Sequence, residues 1–292
     1  MKRQNVTGYL FVMPALVLFT LLILFPAVKT IYYSLFDWPG FGEMKFVGLT
    51  NYITAIFEDI YLVGALKNNV IYLVLTLIFE VAFGLFMAVL LDQKLRFSGI
   101  YRALFFAPMM LSMVVVGLLW GFIFDVDYGL LNAVLKTIGL EHWTRAWMSD
   151  PDFALLGICL TSGWRYAGFF MILFYAGLQR IPRQLIESAQ LDGAGEWRVF
   201  WNIKLPLLRE VMVVSVLLCA TGAFKLFDLV YVLTTGGPYH ATEVISTWMV
   251  RNAFDRFNMG YGSAIAVIMS VIVFLVAMSY LLYNRRKETV EF

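Results

Sequence analysis

The sequence predicts an all-α, polytopic membrane protein of six transmembrane helices, and three observations carry that prediction. Six stretches are long and apolar enough to cross a bilayer core of roughly 30 Å. Most charged residues lie in the connections between them. The basic residues, moreover, collect on alternate connections. Composition agrees: 61% of the residues are hydrophobic and only 14% charged, which is not the make-up of a soluble globular domain. A net charge of +2 offers nucleic acid no electrostatic footprint.

The first span covers about 8–36, with no charge over residues 4–28. The run is long for a signal peptide, Pro14 and Pro26 interrupt it, and no small-x-small site follows, so it is read as a retained span. Tyr32, Tyr33 and Trp38 form an aromatic exit suited to an interface. After a polar connection comes the second span, 68–91, in which Glu80 is the single charge. The third, 102–124, contains Pro108 and is bounded by Asp125. The fourth, 153–178, has Arg165 inside it. The fifth, 207–233, carries Lys225 and Asp228 near its far end, and the sixth, 261–283, is uncharged. Backbone groups inside a bilayer must pair within their own segment, so the spans are helices in a bundle. With no soluble domain, low-complexity tract or internal repeat, residues 1–292 read as one transmembrane domain.

Six spans put both termini on one side. That face collects Lys2, Arg3, Lys94, Arg96, Arg102, Arg180, Arg183, Arg198, Lys204, Arg209, Arg285, Arg286 and Lys287. The other face has Lys45, Lys67, Lys136, Arg145, Arg251 and Arg256, and is the more acidic. The positive-inside bias therefore places both termini, and the segment 179–209, in the cytoplasm.

That segment is polar where its neighbours are apolar. Pro182 suits the first turn of a helix, where its missing N–H costs nothing. Leu185, Ile186 and Ala189 fall on one side at helical spacing, with Arg183, Glu187 and Gln190 largely elsewhere. Gly193 supplies the conformational freedom to stop the helix. A second short helix through Trp197 and Phe200 is expected to end at Pro206. Two amphipathic helices of this kind form either a ledge for a partner to grip or a loop resting on lipid.

Glu187-Ser188-Ala189, three residues, Gly193, nine residues, Ile203, one residue, Leu205-Pro206 resembles the EAA loop of permease subunits of bacterial ATP-binding-cassette importers. Ser188 stands where that family usually has alanine. Phe46-Val47-Gly48-Leu49 with Asn51-Tyr52, Tyr128-Gly129-Leu130-Leu131-Asn132, and Phe227-Asp228 with Leu233-Thr234 and Gly236-Gly237-Pro238 resemble its carbohydrate-uptake branch. The resemblance implies a bacterial inner or plasma membrane location and a loop, about 179–206, that couples to an ATPase. Glu187, Ser188, Ala189, Asp192, Gly193, Ala194, Ile203, Leu205 and Pro206 would form it, with Pro206 setting the angle of entry into the fifth span. It also implies two ATPase subunits, a second permease of a different chain, an extracytoplasmic solute-binding protein and a carbohydrate substrate, moved by alternating access.

The sequence holds no phosphate-cradling Gly-x-x-x-x-Gly-Lys-[Ser/Thr], no catalytic constellation and no metal-ligand spacing, and points to no cofactor. Cys159 and Cys219 lie in apolar runs and read as packed thiols, while His142 and His240 read as isolated loop residues. Ionisable residues inside spans are costly and become candidates for the substrate pathway: Glu80, Arg165, Lys225 and Asp228. The aromatics around them, Trp164, Tyr166, Phe224, Phe227 and Tyr231, could stack on sugar faces or simply pack. Lys225 and Asp228, three apart, suggest a local ion pair. Glu80 and Arg165, each about 13 residues and hence roughly 20 Å from the outer end of its span, suggest a pair inside the bundle. An ion-gradient-driven secondary transporter using Glu80 and Asp228 is the alternative.

Overall fold

The computed structural model describes residues 2–93 and 96–288; Lys94, counted above among the basic residues, lies outside them. Four helices among the described residues are long and apolar enough to cross a membrane: Phe11–Tyr33, Ile60–Asp92, Ala154–Leu178 and Met259–Ser279. Two more candidates are bent pairs. Ser98–Met110 folds against Met113–Ile123 by 100°, and Glu196–Leu207 against Arg209–Phe224 by 68°. The protein is thus all-α and polytopic, with four to six candidate spans. It divides into two compact units, Met1–Val63 with Trp248–Ile272 and Gly64–Thr247 with Val273–Phe292.

Three expected helix outlines change. The helix expected at 68 begins at Ile60, where Asp59 caps it by accepting from the amides of Tyr61 and Leu62. Asn69, fully buried, donates to the Ala223 carbonyl at 2.7 Å and accepts from the Ile245 amide at 2.9 Å. Asn68 donates to the Glu243 carbonyl at 2.8 Å. The stretch 102–124 is two helices, not one: after the 3-10 turn Ala107–Met110, Leu111 and Ser112 are extended, and Ser112 caps the next helix by accepting from the Val115 amide. The stretch 207–233 breaks again at 225–227, between Arg209–Phe224 and Asp228–Leu233.

Pro206 sits in the last turn of the helix that contains it, Glu196–Leu207. A π-turn, Phe200–Lys204, precedes it, closing with the Leu205 amide on the Phe200 carbonyl. The next α-type bond runs from the Leu208 amide to the Lys204 carbonyl, so the proline's absent N–H falls where one register gives way to the other. The chain bends two residues later, at fully buried Leu208. A π-turn at Thr20–Leu24 precedes Pro26 in the same way.

In the first unit, the strands Phe36–Asp37 and Lys45–Phe46 pair antiparallel just after the helix Phe11–Tyr33. Asn51 donates to the carbonyls of Ser34 and Phe36, both at 2.9 Å, and the Tyr52 hydroxyl meets Ser34 Oγ at 2.6 Å. Asp59 is the hub of this unit, a role the sequence did not signal. One carboxylate oxygen caps Ile60–Asp92 through the amides of Tyr61 and Leu62; the other accepts from Trp248 Nε1 at 2.7 Å and the Tyr261 hydroxyl at 2.5 Å.

The second unit is built on the helix Ala154–Leu178. Gly163, Gly168 and Gly177 let neighbouring helices approach so closely that a methyl group would collide with Phe79, Phe105 and Leu208 respectively. Met171 and Phe174 are fully buried in the core beside it, and Cys159 and Cys219 are buried free thiols. Asn132 ties the connection 125–152 together: it donates to the carbonyls of Val126 and Arg145 and accepts from Trp147 Nε1 at 2.8 Å. The Gly236-Gly237-Pro238 loop is pinned by Thr242, whose hydroxyl meets that of Thr234 at 2.7 Å and donates to the Gly237 carbonyl at 2.6 Å. His240, expected to be an isolated loop residue, instead pairs with buried Glu243 at 2.8 Å.

Candidate functional site

Two features of the second unit carry the candidate chemistry. The first is the polar ledge. Pro182, at φ −60° and ψ 124°, leads into the helix Arg183–Leu191, and Asp192 ends it. Gly193 follows at φ +81°, a left-handed conformation that only glycine adopts without strain. Its amide donates to the Gln190 carbonyl at 3.0 Å, and the Ala194 amide to the Ala189 carbonyl at 2.9 Å. These two bonds define a Schellman cap, in which the third-last helical residue and the left-handed residue stand four apart. The spacing between Ala189 and Gly193 therefore has a mechanical origin.

The ledge's apolar side is only partly covered. Ile186 and Ala189 are half-buried, whereas Leu185 is exposed, because the helix is short and lies beside a groove. Glu187, Ser188 and Asp192 are exposed, and Ala194, Ile203 and Leu205 half-buried. Leu191 and Trp197 stand out, 89% and 75% exposed. Neither was singled out in the sequence as a surface residue, although Leu191 is apolar yet outside the Leu185, Ile186 and Ala189 set. Behind the ledge lies a groove of about 480 Å³, whose lining includes Asp92, Arg183, Glu187, Glu196 and Lys204. Lys204 Nζ reaches Asp92 Oδ2 at 2.5 Å, and Gln179 Nε2 donates to Asp92 Oδ1 at 3.1 Å. The ledge is thereby tied to the end of Ile60–Asp92.

The second feature is a cavity of about 350 Å³, among whose lining residues are Glu80, Tyr166, Lys225, Phe227 and Asp228 from the sequence-derived set. Tyr72, Thr76, Met109, Met113, Phe169 and Phe170 also line it, and sequence reasoning missed them because apolar and hydroxyl residues in a span look alike whichever way they face. Glu80 sits in the π-turn Leu77–Ala82 of the helix Ile60–Asp92. Ser162 Oγ donates to Glu80 Oε1 at 2.7 Å, and the Tyr72 hydroxyl donates to Ser162 Oγ at 2.7 Å. This buried carboxylate is thus held by a short hydroxyl chain.

Four candidates lie elsewhere. Trp164 packs edge-on against Trp120, ring centroids 5.7 Å apart, and Phe224 is buried in the packing. Tyr231 stacks on Phe227, ring centroids 5.2 Å apart, and is not among the residues lining the cavity. Arg165 does not pair with Glu80. Its guanidinium donates to the Leu111 carbonyl at 2.8 Å, the Met109 carbonyl at 3.3 Å and the Tyr166 hydroxyl at 2.9 Å. It therefore serves the backbone of the 100° bend, whose carbonyls have lost their helical partners. Nor do Lys225 and Asp228 form the expected ion pair. The helix break at 225–227 removes the shared face, and both are exposed.

The cavity therefore offers aromatic walls, hydroxyls and one buried carboxylate, with a cation and an anion among its exposed lining residues. That mixture suits a polyhydroxyl solute, which presents C–H faces to rings and hydroxyls to acceptors. No group of three or more His, Cys, Asp or Glu residues able to hold a metal occurs among the described residues.

Residues 80–289 match the family described as binding-protein-dependent transport system inner membrane component. The chain is 41% identical to the probable ABC transporter permease protein YurN of Bacillus subtilis, covering 93% of this chain and 94% of that one. It is 31% identical to the lactose transport system permease protein LacF of Rhizobium radiobacter, over 98% and 96% of the two chains. Its fold is that of a chain in the crystal structure of a bacterial ABC transporter involved in the import of the acidic polysaccharide alginate. There the TM-score is 0.86 and the identity 21%, with 97% of this chain and 96% of that chain covered.

Proposed function

Because the chain belongs to the family of binding-protein-dependent transport system inner membrane components, we propose that it passes a carbohydrate into the cytoplasm by alternating access, driven by ATP hydrolysed on separate subunits. The chain is a membrane subunit and not itself an enzyme. The observation that carries the coupling role is the ledge: a rigidly capped helix that exposes Leu191, followed by a second that exposes Trp197, in a sequence with no phosphate cradle of its own. Exposed apolar side chains on an otherwise polar projection mark an interaction site. The lactose relative and the lining of the cavity both support a sugar as cargo.

The route of coupling follows from the connections. A push on Arg183–Leu191 reaches Lys204 and Gln179, and through them Asp92. Asp92 ends the helix whose π-turn holds Glu80, twelve positions and roughly 18 Å away. Movement of the ledge is in this way delivered to the cavity wall by one continuous helix. The partners on this reading are two ATPase subunits under the ledges, a second permease chain and an extracytoplasmic binding protein. Each bent pair counts as one span, giving six, with both termini and the ledge in the cytoplasm.

A single cysteine at position 183 tests docking and orientation together. It is expected to react with an impermeant thiol reagent only from the cytoplasmic side, and to be shielded when the ATPase is co-purified, while a cysteine at 45 reacts from outside. Labelling of 183 on intact cells would sink the orientation. Undiminished labelling in the ATPase complex would remove the ledge from the interface.

A further inference from the structure

A third groove, about 390 Å³, lies between Ser98–Met110 and the end of Ala154–Leu178, away from the Glu80 cavity and sharing Gln179 with the groove behind the ledge. The two helices run in opposite directions, so their polar ends coincide. Arg102, Tyr175 and Gln179 stand at one end of the groove, and Phe106 and Ile172 at the other. Arg102 holds its guanidinium 4.7 Å over the Tyr175 ring, and its Nε–H donates to the Ser98 carbonyl at 3.3 Å. Among the described residues no acidic group lies within ion-pair reach of it, whereas Lys204 has Asp92. The groove thus offers a fixed cation at the mouth of an apolar slot. Phe106 is four positions on from Arg102, roughly 6 Å along the helix, about the step from a lipid phosphate to its first buried methylenes. Beside the groove Tyr101, Leu104 and Phe105 are exposed, extending the apolar surface outward.

We propose that this groove binds one anionic glycerophospholipid, its phosphate on Arg102 and an acyl chain between Phe106 and Ile172. A free phosphate would leave the apolar slot unused. A zwitterionic lipid would bring a second cation beside the guanidinium, where the acid bonded to Gln179, Asp92, is already paired with Lys204. In the orientation proposed above the site faces the cytoplasmic leaflet, where anionic lipids concentrate.

The test uses the full chain in nanodiscs of phosphatidylcholine with a minor fraction of phosphatidylglycerol, released into a native mass spectrometer. The wild type is expected to retain one phosphatidylglycerol. Arg102→Gln should lower that retention about five-fold, the worth of one basic residue at a membrane surface, while Arg102→Lys and the exposed-surface control Arg96→Gln keep it. Ile172→Trp, which fills the slot and leaves the charge, should lower it as well. Equal retention by Arg102→Gln or Ile172→Trp overturns the proposal. So does displacement of the lipid by millimolar inorganic phosphate, which would make this a phosphate site. Cross-linking of a cysteine at 103 to a second permease chain would show that protein covers the groove, and would overturn it too.

Discussion

Gly168→Ala is expected to remove most of the folded protein from the membrane. The added Cβ would sit 1.9 Å from the Phe105 carbonyl oxygen and 2.5 Å from its carbon, both backbone atoms that no rotamer change can move. The helices Ser98–Met110 and Ala154–Leu178 would have to part, and with them the bend that follows Met110. Overpacking of a core commonly costs about 1–3 kcal/mol, and a backbone collision belongs at or beyond the upper end. Membrane-inserted yield should fall at least about ten-fold, against little change for Gly64→Ala, where an added Cβ meets nothing within 4 Å. Quantitative blotting of solubilised, monodisperse protein measures both. Wild-type yield from Gly168→Ala would mean that this close approach does not hold the bundle together.

Arg165→Leu should have the next largest effect, through the bend instead of the packing. The substitution strips a charged donor from the carbonyls of Met109 and Leu111 and from the Tyr166 hydroxyl. Hydrogen bonds to a charged group are worth roughly 1.5–3 kcal/mol each, and inside a bilayer the abandoned carbonyls find no water. Met109 and Met113 flank the bend and line the cavity, so uptake should fall with stability. We expect a melting temperature lower by several degrees and uptake at least about ten-fold lower, with Arg165→Lys intermediate. Because Glu80 bonds Ser162 and Arg165 bonds the bend, Glu80→Gln and Arg165→Gln should combine additively, within about 0.5 kcal/mol in stability. A strong non-additive term would restore the direct ion pair between them.

What was legible in the sequence follows from how local each determinant is. Long uncharged runs fix helices without reference to anything else, so Phe11–Tyr33, Ala154–Leu178 and Met259–Ser279 lie close to where hydrophobicity puts them. Gly193 was legible because a helix stop is a one-turn event, and its φ of +81° is what the spacing to Ala189 requires. His240 was misjudged for the opposite reason: its ring is met by Glu243 through the fold of its own loop. Both prolines mark bends: Pro108 lies in the 3-10 turn just ahead of the 100° bend, and Pro206, which follows a π-turn, lies just ahead of the 68° bend. The charged part of the cavity, Glu80, Lys225 and Asp228, was foreseen because charges in spans are conspicuous. Tyr72 and Thr76 were not, since their facing depends on rotation that a single sequence does not display.

The central claim is that movement of the ledge, powered by ATP on another subunit, opens and closes the sugar path. Gly193→Val tests it most directly, because a β-branched residue at φ +81° breaks the cap of Arg183–Leu191 while no neighbour lies within 4 Å of the added Cβ. Wild-type and Gly193→Val chains are reconstituted with their ATPase and second permease into vesicles holding ATP, and binding-protein-delivered sugar is counted inside. The wild type should accumulate sugar with ATP present and an ionophore added, and Gly193→Val, inserted to the same level, should accumulate less than about a tenth as much. Full uptake by Gly193→Val, or wild-type uptake that ignores ATP and collapses with the ion gradient, would contradict the account.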